Sequence, residues 1–360
     1  MSMDQPVLGS NTREEILSQP RCWRECIQAL DKTGQLAKVR ARFPGPAEWL
    51  FIGCGSSYYV ALAAAATWTK ITGSLARAVP ASDLLIFPDL VLASSHPCQP
   101  VLISRSGSTS EILRAAQYLE AKANIRTLAI SCAAHQPLEE VSSATLHVLP
   151  ADEQSTVMTR SFSSMLLGLQ ALAAEYGQDT KFAQALRCLP DQAQTVLDGL
   201  PKRLEDFVQA RTFADYVFLG QGPFFGIASE CMLKVKEMSC SYGQCFHTLE
   251  FRHGPKAIVS PETLVTFLLS ETGFEAEKQV LQDVKDLGGT TLVIANRADE
   301  AVRRTADFLV ELNLDLAEYA GLAAYVFTGQ LLGYFTGLKK GHDPDHPRNL
   351  NRVVILNEKG

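Results

Sequence analysis

The chain has 360 residues, with 33 basic and 39 acidic side chains for a formal net charge of −6, and 46% of its residues are hydrophobic. That length allows two domains of ordinary size with a real core, and the composition excludes a disordered chain. No Lys/Arg block interrupts it, which argues against a nucleic-acid partner and makes small-molecule binding the default.

The N-terminal stretch MSMDQPVLGSNTREE carries no apolar signal region. Runs such as YVALAAAATW and GLAAYVFTGQLLGYF stay short of the roughly 20 unbroken apolar residues of a membrane span, so a cytoplasmic protein with no membrane partner is expected. Nine cysteines without a C-x-x-C pair, Cys54, Cys132 and Cys231 among them, read as reduced core thiols. Residues 12–30 read as a helix in which Thr12 and Glu15 have the spacing of a capping box. With its flanks it makes a helical arm, 1–45, packed on the first domain or on a partner subunit.

From residue 49 the chain says the same thing twice. WLFIGCGSSYYVALAAAATW is an apolar run, a G-x-G and a helical stretch, and it recurs as YVFLGQGPFFGIASECMLKV, with Gly53 and Gly55 reappearing as Gly220 and Gly222 after a shift of 167. VLISRSGSTSEIL is answered by VTFLLSETGFEAEKQVL, with Gly107 against Gly273 at a shift of 166, and TLAI at 127–130 by TLVI at 291–294. An apolar helix then closes each half, at 160–174 and 319–335. Apolar β-rich runs alternating with helical patterns indicate parallel sheets covered on both faces. The expected fold class is therefore α/β, with two doubly wound parallel-sheet domains at 46–200 and 201–340. A polar helical stretch at 176–210 links them, with Pro190 and Pro201 as expected breaks.

In open parallel sheets, ligands sit at the carboxyl ends of the strands. Two turns there concentrate hydroxyls: Gly53-Cys54-Gly55-Ser56-Ser57, and Ser104-Arg105-Ser106-Gly107-Ser108-Thr109. Glycine lets the backbone approach closely, while N–H groups and hydroxyls donate to phosphate oxygens. Taken alone, the second turn admits either helix capping with solvation or phosphate binding. The matching loops of the second half, GQGPFF and SETGFE, have lost most hydroxyls and gained a carboxylate, so only the first half should grip an anion. The G-x-G lacks the rest of a dinucleotide fingerprint, and no nucleotide or other cofactor is expected.

The second half carries ECMLKVKEM, in which Glu230, Lys234 and Glu237 share one helical face. By pattern alone this is a solvated, salt-bridged stripe more readily than a site. His253, before the Gly254-Pro255 turn signal, reads by itself as structural. His342, Asp343, Asp345 and His346 imitate a metal cluster, but they read as a polar tail, and no metal is expected.

In order and spacing, TREEILSQP, GCGSS, SRSGST, MTRSF, LGQGPFFGIASECMLKVKEMS, LEFRHGP and GHDPDHPRNLNRVV resemble the double sugar isomerase (SIS) domain family. The resemblance is to the isomerase half of the glutamine–fructose-6-phosphate aminotransferases and to their amino-sugar-phosphate deaminase/isomerase relatives. It implies two flavodoxin-like domains, with the phosphate of a hexose 6-phosphate held by Ser104, Arg105, Ser106 and Thr109 together with Ser56 and Ser57. It also implies Glu237 as the base that moves a proton between C1 and C2, with Lys234 beside it. His253 would open the sugar ring from a neighbouring subunit, in a homodimer with shared active sites, and the tail 341–360 would complete the site.

Three departures bear on the substrate. The aminotransferases begin with a glutaminase domain, and here the arm stands in its place, so glutamine is not the expected ammonia source. The family's R-N-L-A-K ends in a Schiff-base lysine, where RNLNR places Arg352, which cannot be an amine nucleophile. MTRSF puts Met158 where a serine contacts the sugar. The expectation is an isomerase or deaminase of a hexosamine 6-phosphate, whose own nitrogen replaces the lysine. A fructosamine-phosphate deglycase and a non-catalytic sugar-phosphate sensor are the alternatives.

Overall fold

The computed structural model describes residues 8–45, 48–92 and 97–356. The first seven residues of the expected arm, the expected domain start at 46 and the last four residues of the tail lie outside them. Strands β1 (Glu48–Gly53), β2 (Leu75–Pro80), β3 (Cys98–Ile103), β4 (Leu128–Ser131) and β5 (Ala144–His147) form one parallel sheet in the order β2-β1-β3-β4-β5. Strands β6 (Asp215–Gly220), β7 (Tyr242–Phe246), β8 (Thr263–Leu269), β9 (Thr290–Ala295) and β10 (Phe308–Glu311) form a second, ordered β7-β6-β8-β9-β10. The second order is the first one repeated, as the sequence repeat predicts. β8 is buried at every position and β1 at all but its first, which is why these strands read as continuous apolar runs rather than alternating ones.

The principal helices are α1 (Ser10–Leu17), α2 (Gln19–Thr33), α3 (Gln35–Arg42), α4 (Ser56–Thr72), α5 (Ser110–Gln117), α6 (Arg160–Gly177), α7 (Thr180–Ala210), α8 (Phe224–Ser239), α9 (Phe274–Asp286) and α10 (Val326–Lys339). One continuous apolar core runs through α2, α4, α6, α7, α8 and α10 and reaches the inner faces of both sheets. A smaller core covers the outer face of each sheet. The layer between the sheets is tight because small residues line it. A Cβ built on Gly226 of α8 would stand 2.7 Å from the Tyr59 carbonyl of α4, and on Gly329, Gly333 and Gly337 of α10 it would strike Cys231, Lys234 and Met238 of α8 at 2.3–2.7 Å. Four-residue spacing keeps these glycines on one face. Helix α8 is thus clamped between α4 and α10.

Two expectations need correction. The stretch at 176–210 is not broken by its prolines: α7 runs 31 residues through both Pro190 and Pro201, so the boundary expected at 200 falls inside a helix. Eight buried side chains, Phe182, Leu186, Leu189, Leu197, Leu200, Leu204, Phe207 and Val208, each contribute about 1.5–3 kcal/mol and outweigh two prolines that cost about 3 kcal/mol each. Nor do Thr12 and Glu15 make a capping box, because the N-cap is Gly9 and Thr12 is buried inside α1. The tail caps this helix instead. Asp343 accepts from the Gly9 N–H at 2.9 Å, and Asp345 accepts from the N–H groups of Asn11 (3.0 Å) and Thr12 (2.7 Å) and from the Thr12 hydroxyl. These carboxylates satisfy the free N–H groups and oppose the helix dipole, which gives GHDPDH a structural purpose.

Candidate active site

The strand order reverses between β1 and β3, whose neighbouring register pairs Ile52 with Leu102. Their carboxyl ends therefore open side by side, at the place where doubly wound sheets bind ligands. Both hydroxyl turns lie there. Ser56 and Ser57 are buried at the start of α4, and Ser104 and Arg105 are buried after β3, while Ser106 and Thr109 are half-buried. Gly107 has φ 64°, and its N–H donates to Ser104 Oγ at 3.1 Å, while the Ser108 N–H donates to Ser106 Oγ at 3.2 Å. Thr109 precedes α5 without a capping hydrogen bond from its side chain.

The second half meets this crevice through α8. Its three charges are not a solvated stripe: Glu230 and Lys234 are fully buried, and Glu237 is 18% exposed. The Lys234 ammonium donates to Glu237 Oε2 at 2.5 Å and to Ser56 Oγ at 3.2 Å, and lies 3.2 Å from Glu230 Oε1. One cation therefore joins a hydroxyl of the first turn to a carboxylate of the second half. Burial pushes the Glu230 carboxyl up to about 7 against the pull of Lys234. Burial works against the Lys234 ammonium too, but the Glu230 and Glu237 carboxylates outweigh it and raise its pKa. Lys234 stays charged, and the turn from Ser56 faces a fixed positive group.

Arg105 is placed differently from a phosphate ligand. Its guanidinium donates to the carbonyls of Thr156 at 3.1 Å and Arg352 at 2.7 Å, and lies 3.5 Å from the fully buried Glu153. Glu153 also accepts from the Thr159 N–H and hydroxyl and from Ser161. Arg105 thus ties the hydroxyl turn to the MTRSF segment and to the tail, and Met158 of that segment packs half-buried against the central core. The tail continues over the same turn, since the Ser110 N–H donates to the Val354 carbonyl at 3.2 Å and the Leu356 N–H to Ser110 Oγ at 3.0 Å. The Arg352 side chain is exposed and pairs with Asp152 at 2.7 Å. His253 is exposed after β7, and among the described residues no hydrogen bond joins it or Arg352 to Lys234 or Glu237.

Sequence reasoning placed Glu230 on the right face but left it out of the site. The signal was available in its neighbours: Cys231, Met232 and Val235 surround the charges with apolar residues, which a solvated stripe lacks. Glu153 was missed because its partners, Thr159 and Ser161, are ordinary loop and helix-start residues by pattern.

Residues 48–175 match the family model described as SIS domain. That span is similar to a SIS domain. The glutamine–fructose-6-phosphate aminotransferase (isomerizing) of Haemophilus ducreyi is 26% identical over 98% of this chain and 60% of its own length. That of Xylella fastidiosa is 27% identical over 96% and 58%, so the chain spans about 60% of the length of such relatives. Among solved structures, glucosamine-6-phosphate deaminase from Thermotoga maritima is similar with a TM-score of 0.78 at 28% identity, covering 96% of this chain and 100% of that one. Tagatose-6-phosphate ketose/aldose isomerase from Escherichia coli has a TM-score of 0.84 at 23% identity, over 97% and 96%, and supports the fold. The matched span holds β1–β5 and both hydroxyl turns; α8, with Glu230, Lys234 and Glu237, lies beyond it.

Proposed function

We propose that the chain is a phosphosugar isomerase or deaminase acting on a hexosamine 6-phosphate. The observation that carries this reading is the Lys234 ammonium, held between Ser56 of the hydroxyl turn and Glu237 of α8. A sugar whose phosphate sits on the Ser104–Thr109 turn would reach toward a carboxylate and a cation in the same crevice. Hydrogen bonds to a charged group contribute about 1.5–3 kcal/mol each, so the loop amides with Ser56, Ser57, Ser104, Ser106 and Thr109 suffice for a phosphomonoester. Arg105 acts on this turn as a positioning residue, because its guanidinium is engaged with Thr156, Glu153 and Arg352.

In this reading Glu237, the one partly exposed carboxylate of the α8 trio, takes a proton from one of C1 and C2 and returns it to the other. Lys234 stabilises the negative charge of the enediol-like intermediate. His253, exposed in its own chain, is free to serve a neighbouring subunit in ring opening, as a homodimer with shared sites requires. Arg352 cannot form an imine, so the substrate's own nitrogen becomes the imine once the proton has moved, and hydrolysis releases ammonia. The likeness to a glucosamine-6-phosphate deaminase along nearly the whole chain supports this choice.

The test is incubation with the 6-phosphates of glucosamine, galactosamine, fructose and a fructose-amine, following ammonia, amine and ketose by NMR. Ketose–aldose exchange without ammonia would remove the deaminase reading, and binding with no turnover on the whole panel would replace it with a sensor. Glu237→Gln should lower solvent deuterium incorporation at C1/C2 by about 10²–10⁴-fold while leaving binding nearly intact. Unchanged exchange would count against Glu237 as the base.

A further inference from the structure

The hydroxyl turn after β3 has a twin after β8. Ser104 Oγ accepts from the Gly107 N–H at 3.1 Å, and Ser270 Oγ accepts from the Gly273 N–H at 2.8 Å. The twin lies 166 residues on, so Glu271 stands where Arg105 stands and Thr272 where Ser106 stands. In the second half the donors of this turn already hold anions. Glu318 accepts from the Glu271 N–H at 2.6 Å, the Thr272 N–H at 3.2 Å and the Thr272 hydroxyl at 2.6 Å. Glu277 accepts from the Ser270 N–H at 2.8 Å and its hydroxyl at 2.7 Å. The turn's own carboxylate is not the occupant, because Glu271 Oε1 accepts from Asn296.

The first half keeps the matching carboxylates away. Glu318 lies in the connection between β10 and α10; the connection between β5 and α6 carries Asp152, bound by Arg352, and Glu153, bound by Thr159, Ser161 and Arg105. Glu111 repeats the position of Glu277, yet the Ser104 N–H goes to the Ile130 carbonyl at 3.1 Å. The same backbone thus grips a carboxylate in one half, while among the described residues no carboxylate accepts from the matching donors of Ser104, Arg105 and Ser106 in the other.

We propose that the second half retains a phosphate-type anion site whose resident anion is the Glu318 carboxylate, and that Glu318, seconded by Glu277, limits the chain to one phosphate-bearing ligand. The proposal rests on the reading that the first turn holds a phosphate. A carboxylate bound through two N–H groups and a hydroxyl occupies the donors a phosphate oxygen would use, and its tethering makes it an intramolecular competitor at high effective concentration.

The experiment counts sites on the full chain by ³¹P NMR and calorimetric titration with inorganic phosphate and glucosamine 6-phosphate. Wild type should bind one phosphate group per chain, and Ser106→Ala should weaken that site. Glu318→Ala should add a second site, at least tenfold weaker than the first because Glu277 remains, and Glu318→Ala with Glu277→Gln should tighten it. In the Ser106→Ala/Glu318→Ala variant the added site should persist. If Glu318→Ala does not fold, Glu318→Ser reads the same way. Folded variants that keep the wild-type stoichiometry, with and without Glu277→Gln, overturn the proposal. A wild-type chain that binds no phosphate while Glu318→Ala binds one would sink the proposed function and leave this inference standing.

Discussion

Helices α4 and α8 follow the first strand of their respective sheets and pack against each other, yet their buried faces differ. At the repeat shift of 167, the places of Glu230 and Lys234 in α8 are taken in α4 by Ala63 and Thr67. Ala63 is fully buried and Thr67 Oγ1 returns its hydrogen bond to the Ala63 carbonyl at 2.9 Å. The fold therefore has an apolar solution for this face and uses it in the first half. Burying charges costs several kcal/mol per ion unless they are well paired, so the charges of α8 are not required by packing. The contrast separates labour between the halves: hydroxyls and loop amides on the first, titratable groups on the second.

The largest expected effect comes from removing the cation that joins them. Lys234→Met leaves Glu230 and Glu237 facing each other at a buried site, and breaking a buried ion pair by deleting one partner typically costs about 3–5 kcal/mol. Turnover should vanish, and denaturant unfolding should show the stability loss. The converse substitution, Thr67→Lys in α4, places a charge with no carboxylate partner at the equivalent buried position and should destabilise as well. A Lys234→Met protein as stable as wild type would mean that α8 tolerates an apolar face as α4 does, and that the trio is not a coupled unit.

Much of this architecture was legible in the sequence. The repeat at 166–167 residues fixed two parallel sheets of the same strand order, because continuous apolar runs and G-x-G turns report directly on buried strands and strand-to-helix turns. What pattern could not show was pairing across the chain. Arg105 reads as a phosphate ligand until its guanidinium is seen on the Arg352 carbonyl, 247 residues away. Asp343 and Asp345 read as part of a polar tail until they are seen capping α1. Pro190 and Pro201 read as breaks because local propensity does not register the apolar stripe that holds α7 together. In each case a tertiary contact decided what a local rule left open.

The comparison of the two anion turns gives the next largest effect. Ser106→Ala removes a hydroxyl from the open turn and should weaken sugar-phosphate binding about tenfold to a hundredfold, the equivalent of one hydrogen bond to a charged group. Thr272→Ala makes the matching change in the filled turn, where the hydroxyl serves Glu318, and should leave affinity unchanged while lowering stability by about 0.5–1.5 kcal/mol. Titration calorimetry paired with thermal melts reads both. Equal losses of affinity in the two variants would erase the asymmetry between the halves.

The smallest effect, and the most specific, concerns Glu230, whose counterpart Ala63 cannot titrate. Burial raises its carboxyl from 4.5 to about 7, so between those values the folded chain binds a proton that the unfolded chain has released. Stability therefore falls as pH rises from about 4.5 to about 7, because the slope of unfolding free energy with pH takes the sign of protons bound unfolded minus folded. Glu230→Gln keeps the shape of the side chain and abolishes the titration, so its stability should be flatter across that window than the wild type's. The ionised Glu230 also sets the charge beside Lys234, so the pH profile of kcat/KM should carry an inflection near 7 that Glu230→Gln lacks. Urea midpoints and rate profiles from pH 5 to 8 test both, and identical wild-type and variant curves would show that the proton on Glu230 has no part in either folding or turnover.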